Sequence, residues 1–312
     1  SGVDTHPAFE HIRADNRILK TWDFTGNKEN VYKNIPHGTA AFSCIAGIMA
    51  GHRMGLATGA EFLLAKTEVN REPFAEEQYW MAAAEWADKN GADIINSSLG
   101  YVNQRYFPEQ MDGKTSLVAK AANMAASKGI LVVNSNGNSG SNKNWKFCGT
   151  PADADSVLSV GGIHPKNNYH SSFSSFGPTA DKRMKPNVSA YGTAFCAKKK
   201  GYYVMSGTSF SSPLVAGFAA CVLQMHPEWS NMELFKEIEK SGHLYPYFDY
   251  AHGYGIPQAS CFFDAEKPIE KPGFVFVQEG NFLKIILNGE SNSRNRHIYG
   301  RDYLLYHIEN DG

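Results

Sequence analysis

Between residues 55 and 165, short apolar and β-branched runs alternate with helix-sized amphipathic stretches. The pattern predicts strands over 60–66, 92–97, 130–134 and 157–161, with helices over 74–90 and 115–128 stopped at Gly91 and Gly129. Helix-sized spacers between strands are the mark of βαβ units, so the expectation is an α/β fold with a doubly wound, mainly parallel sheet. An earlier strand is predicted over 18–24, followed by a Gly/Asn-rich turn over 26–30. A helix of small residues follows His37, and small residues let a helix approach a sheet closely. A longer apolar helix starts near Ser209, carries Leu214, Val215, Phe218, Cys221, Val222 and Leu223, and ends near His226-Pro227. Pro213 is expected in its first turn, where a missing N–H costs nothing.

After residue 265 the texture changes. Residues 266–272 are Pro-rich and charged, as in a linker, and three strands are expected over 273–277, 282–287 and 303–308. The chain therefore divides into a main domain over 1–265 and a partial C-terminal β-rich domain over 266–312.

Composition narrows the functional classes. Thirty basic residues face thirty-one acidic ones in 312, which gives no reason to expect nucleic acid or an anionic membrane surface as partner. The one basic run, Lys198-Lys199-Lys200, reads as a solvated turn. No apolar stretch is expected to reach the ~18 residues of a membrane span. No signal-peptide pattern opens the chain, and Ser1-Gly2-Val3 reads as a processed or trimmed end. The five cysteines, Cys44, Cys148, Cys196, Cys221 and Cys261, have no metal-ligand spacing. Cys44 and Cys221 are expected to be buried thiols on helix faces; Cys148 and Cys196 form the one pair considered for a bridge.

In parallel sheets ligands bind beyond the carboxyl ends of the strands. Two loops stand there, Ser97-Ser98-Leu99-Gly100 and Ser135-Asn136-Gly137-Asn138-Ser139-Gly140. Neither has the glycine spacing of a nucleotide-binding loop. The run Ser206-Gly207-Thr208-Ser209-Phe210-Ser211-Ser212-Pro213 places a hydroxyl at a helix N-terminus, where unpaired N–H groups and a partial positive charge can hold a developing oxyanion. Ser209 alone also reads as a helix cap, and His37 alone as a structural histidine.

Taken together, these runs resemble the subtilisin-like serine proteases, the subtilases, over about residues 1–262. His37-Gly38-Thr39 with Ala46-Gly47 resembles the family's histidine motif, and Ile94-Ile95-Asn96-Ser97-Ser98-Leu99-Gly100 its substrate-pairing strand. Val132-Val133-Asn134-Ser135-Asn136-Gly137-Asn138 resembles the oxyanion loop, and Gly207-Thr208-Ser209 with Pro213 the nucleophile motif. Ser172-Phe173-Ser174-Ser175-Phe176-Gly177, Lys185-Pro186-Asn187-Val188 and Gly253-Tyr254-Gly255-Ile256-Pro257 match flanking signatures. The motifs run in family order, with histidine before serine, unlike the α/β-hydrolases.

The resemblance implies a subtilisin-like fold and a serine endopeptidase. Ser209 is the implied nucleophile, His37 the general base and Asn138 the oxyanion donor. Ser98, Leu99, Gly100 and Asn136 are implied in binding the substrate. The family's aspartate motif, followed by His-Pro, aligns with Ser1-Gly2-Val3 and His6-Pro7 so that the aspartate falls just before Ser1. Asp4 is the alternative, although the family's aspartate ends an apolar strand and only three residues precede Asp4. A protein or peptide substrate is implied, and a location outside the cytoplasm. Calcium sites are common in the family, but no acid-rich loop spells one out, so no cofactor is expected. The rival reading is a non-catalytic relative that binds peptide in the same groove.

Overall fold

The computed structural model describes residues 3–32, 36–69, 73–102, 105–263, 274–280 and 282–287. In chain order the elements of the main unit open with α1 (Glu10–Ala14), β1 (Ile18–Asp23), α2 (His37–Ala46), β2 (Ile48–Met49), β3 (His52–Arg53) and β4 (Phe62–Lys66). They continue with α3 (Ala75–Lys89), β5 (Ile94–Ser97), α4 (Leu117–Ser127), β6 (Leu131–Ser135), β7 (Val157–Ile163) and β8 (Val188–Tyr191). Last come β9 (Thr193–Lys198), β10 (Gly201–Ser206), α5 (Thr208–Met225) and α6 (Asn231–Lys240).

Strands β5, β6, β7 and β8 form a parallel sheet in that order, and β1 pairs with β4, also in parallel. β9 and β10 make an antiparallel hairpin whose second strand runs directly into α5. The fold is thus α/β, doubly wound and mainly parallel. The two central strands are covered on both faces: every residue of β6 and β7 is buried.

The helix boundaries follow local chemistry. α4 starts where Ser116 Oγ accepts the Ala119 N–H, and α3 and α4 stop before Gly91 and Gly129, which take positive φ of 75° and 96°. These two helices pack on each other through Trp80, Ala84, Val118, Ala119 and Ala122 against Val132 and Val157. α6 carries a capping box, Ser230 with Glu233; the sequence reading had not placed this helix.

α5 lies across β5 to β8 and against α2. By length and composition alone it could cross a membrane, contrary to the expectation that no stretch is long and apolar enough. Here 61% of that window is buried inside the protein, as for a core helix.

The described cysteines are free thiols, so the Cys148–Cys196 bridge considered from the sequence is not present. Cys148 is buried without a cysteine partner, whereas the neighbour of Cys196 is Cys44, at 3.6 Å between sulfurs. Cys221 is half-buried, not buried.

The chain splits into two compact units, residues 1–258 and 259–312. In the second, α7 (Ser260–Phe263) is followed by β11 (Phe274–Glu279) and β12 (Phe282–Leu287), an antiparallel hairpin. The strand expected over 303–308 and the linker over 266–272 lie outside the described residues.

Candidate active site

α5 begins after Gly207, whose φ of 148° favours glycine and turns the chain from β10 into the helix. The turn presents Thr208 and Ser209 at the helix N-terminus, where unpaired N–H groups gather. Thr208 is buried and reaches toward the loop after β6. Its N–H and its hydroxyl both donate to Asn138 Oδ1, at 2.9 and 3.0 Å, and its Oγ1 accepts the Gly137 N–H at 3.3 Å. With its oxygen held there, the exposed Asn138 directs its NH₂ group beside the start of α5; Nδ2 lies 3.6 Å from where a Cβ on Gly207 would stand. Asn138 and Ser209 are therefore brought to the same end of α5.

Ser209 is half-buried and shares two hydrogen bonds with the loop after β5. Its hydroxyl donates to Ser98 O at 3.3 Å, and Ser98 Oγ donates to Ser209 O at 2.8 Å. The second bond has a cause in the sequence. Pro213 lies inside α5, not in its first turn as expected, and has no N–H for the carbonyl four residues earlier, which is that of Ser209. Ser98 supplies the missing donor. The loop is braced further where Asn134 Nδ2 donates to Leu99 O at 3.0 Å and Ser212 Oγ to Asn96 Oδ1 at 2.9 Å.

His37 opens α2. Its ring meets that of Phe210, the residue after Ser209, edge-on with centroids 6.3 Å apart. Nδ1 lies 3.3 Å from Glu68 Oε2, just beyond the end of β4. Both side chains are about 30% exposed. A carboxylate at Nδ1 favours the tautomer with its proton there, which leaves Nε2 as acceptor. Among the described residues the Ser209 hydroxyl bonds to Ser98 and not to His37.

Two sequence expectations are corrected. Asp4 is exposed in a turn near Tyr32, and the carboxylate at His37 is that of Glu68. Asn136 is fully buried: its Nδ2 donates to Ser175 O at 2.6 Å and its Oδ1 accepts from Ser159 at 2.8 Å. It braces the loop from inside and offers no face to a substrate. Among the described residues no group of three His, Cys, Asp or Glu side chains stands close enough to hold a metal ion.

The model of the subtilase family matches residues 1–255. This chain belongs to the subtilase family. Subtilisin DY of Bacillus licheniformis is 39% identical over 150 residues, 48% of this chain and 49% of that protein. The subtilisin of Bacillus pumilus is 30% identical over 264 residues, 84% of this chain and 88% of the relative. The chain thus spans about half the length of the first relative and most of the second. Among solved structures, sphericase superposes with a TM-score of 0.66 at 24% identity, covering 83% of this subtilase and 88% of sphericase.

Glu68 and Thr208 are the site residues that sequence reasoning missed. Thr208 sat in view inside the Gly-Thr-Ser run. Glu68 carried no local signal, because β4 is brought beside α2 by a tertiary contact, the Phe42 ring against that of Phe62.

Proposed function

We propose that this subtilase is a serine endopeptidase that works through an acyl-enzyme. Ser209 Oγ attacks the peptide carbonyl carbon while His37 Nε2 takes its proton; the same proton then passes to the leaving amine. Water, deprotonated by His37, releases the acyl group and restores Ser209. The Asn138 NH₂ and the Ser209 N–H hold the oxyanion in both halves of the reaction. An extended peptide pairs along Ser98, Leu99 and Gly100, so that affinity comes mainly from its backbone. No cofactor takes part in this reading, and the protein acts in an extracellular, periplasmic or cell-surface setting. Residues 266–312 form a separate β-rich domain outside the chemistry.

The observation that carries this reading is the clamp of Thr208 on Asn138, which aims an amide donor at the start of α5 beside Ser209. For the orienting carboxylate, we place the family's aspartate at the end of a strand between β4 and β5, in the position just before Ser1 of the family pattern. Its support is a cavity of about 880 Å³ bordered by β4 and β5 with their flanking residues, 61–68 and 93–99, and reaching His37. These two strands are not paired with each other among the described residues.

A second reading, peptide binding without turnover, draws on the Ser209 hydroxyl being bonded to Ser98 and not to His37. Labelling with a serine-directed phosphonate separates the two. A longer chain that carries the aspartate labels at Ser209 and cleaves unfolded protein, and Ser209→Ala does neither while still binding peptide. The 312-residue chain labels about 10⁴-fold more slowly, the loss seen when a protease histidine loses its orienting carboxylate. Failure of the longer wild-type chain to label or cleave would leave the binding reading standing.

A further inference from the structure

Beneath the site lies a pair of thiols that the mechanism does not use. Cys44 sits on α2, two turns after His37, and Cys196 on β9, the first strand of the hairpin that runs into Ser209. Their sulfurs are 3.6 Å apart, and the two residues are 1% and 0% exposed. The register of the two elements is fixed at the adjacent residues, where Ser43 Oγ accepts the Ala197 N–H at 2.9 Å. The surroundings are apolar: Ala40, Ala194, Met205, Phe210 and Leu214. Phe210 in turn meets the His37 ring. Among the described residues no other cysteine pair is in contact.

We propose that Cys44 and Cys196, free thiols in contact in this structure, join in a disulfide under oxidising conditions, a covalent tie between the helix that carries His37 and the hairpin that delivers Ser209. The sulfurs need to close from contact to a bond of about 2.05 Å. The elements already lie in register, so this takes side-chain movement without a change of pairing. In the step the two S–H bonds break and one S–S bond forms. Two electrons and two protons pass to a disulfide oxidant such as glutathione disulfide, which leaves as two thiols. The contact with Cys196 and then burial hold the Cys44 thiol well above its usual pKa, and a thiol in that state attacks slowly. The bond therefore forms while the chain folds, before the pair is sealed.

The tie stands independently of the proposed activity. The test refolds reduced, unfolded protein either in glutathione disulfide or in reductant, then alkylates the denatured product for peptide mass analysis. After oxidative refolding three of the five cysteines are alkylated and one linked peptide pair contains Cys44 and Cys196; in reductant all five react. The oxidised form melts about 10 °C higher, in line with closure of a long loop in a domain of this size. That difference disappears in Cys44→Ser and persists in Cys221→Ser. A variant with Cys148, Cys221 and Cys261 all changed to Ser leaves the proposed pair alone, so that other pairings cannot trap the chain. Five free thiols in folded oxidised protein, a link to a different cysteine, or two free thiols in the triple variant would each overturn the proposal.

Discussion

At the start of α5 single hydrogen bonds decide which atoms are left over for chemistry. Asn138 has one acceptor and an amide with two donors, and Thr208 occupies the acceptor twice, which commits the NH₂ group to the site. Asn138→Ala is expected to lower kcat by ~10²–10³ with little change in KM, a range taken from the loss of this donor in subtilisin, a relative. Steady-state kinetics on a peptide substrate, in a chain extended to carry the proposed aspartate, checks it. Ser98 has a separate role. Ser98→Ala strands the Ser209 carbonyl that Pro213 cannot serve, and a part-buried acceptor without a partner costs about 1–2 kcal/mol. Denaturant unfolding of Ser98→Ala should show that loss, and the double variant Ser98→Ala/Pro213→Ala should recover much of it, because replacing the proline restores the helical N–H. At His37, Glu68→Gln in the 312-residue chain is expected to slow phosphonate labelling on the order of tenfold, less than the loss of a buried, well-aligned carboxylate, because the contact is long and partly exposed. An unchanged rate would remove Glu68 from any part in holding the ring.

The elements are held in place by polar groups at their ends as much as by apolar faces. β1 ends in Asp23, whose side chain is 3% exposed and accepts bonds from Thr25 N–H, Thr25 hydroxyl, Gly26 N–H and Lys66 Nζ at the end of β4. Burial opposes ionisation there, but these donors outweigh it, and the carboxyl pKa is lowered. A lowered folded value means that the stabilisation is present above the unfolded pKa of 3.8 and is lost as pH falls below it. Asp23→Asn should cost about 2–3 kcal/mol at neutral pH, since it leaves Lys66 without its counter-charge. It should also flatten the acid limb of the stability curve below about pH 4; equal acid sensitivity in variant and wild type would contradict the assignment. The helix ends at Gly91 and Gly129 were legible from the sequence because a positive φ is a local demand. β8, β9 and β10 were not, because their runs are short and their pairing is set by contacts far along the chain.

At the scale of the whole molecule, residues 1–258 form a compact unit by themselves and should fold without the second unit. A chain ended at Gln258 is expected to melt within a few degrees of the 312-residue protein and to label at Ser209 at the same rate; a large loss of either would show that the C-terminal unit supports the first. The fold class and the helices after His37 and Ser209 were readable in the linear order of residues. Each rests on local chemistry: a period of apolar residues, a stop at glycine, a hydroxyl before an apolar helix. What the linear order left open was every relation between distant segments. That Ser98 replaces the donor Pro213 lacks, that Glu68 and not Asp4 faces His37, that Asn136 turns inward while Asn138 turns out, and that Cys196 meets Cys44 and not Cys148 were decided by tertiary structure alone. The physical reason is common to all four. A hydrogen bond or a thiol contact is worth something only within a few ångströms, and which side chains come that close is fixed by how segments distant in the chain pack together, which no local pattern encodes.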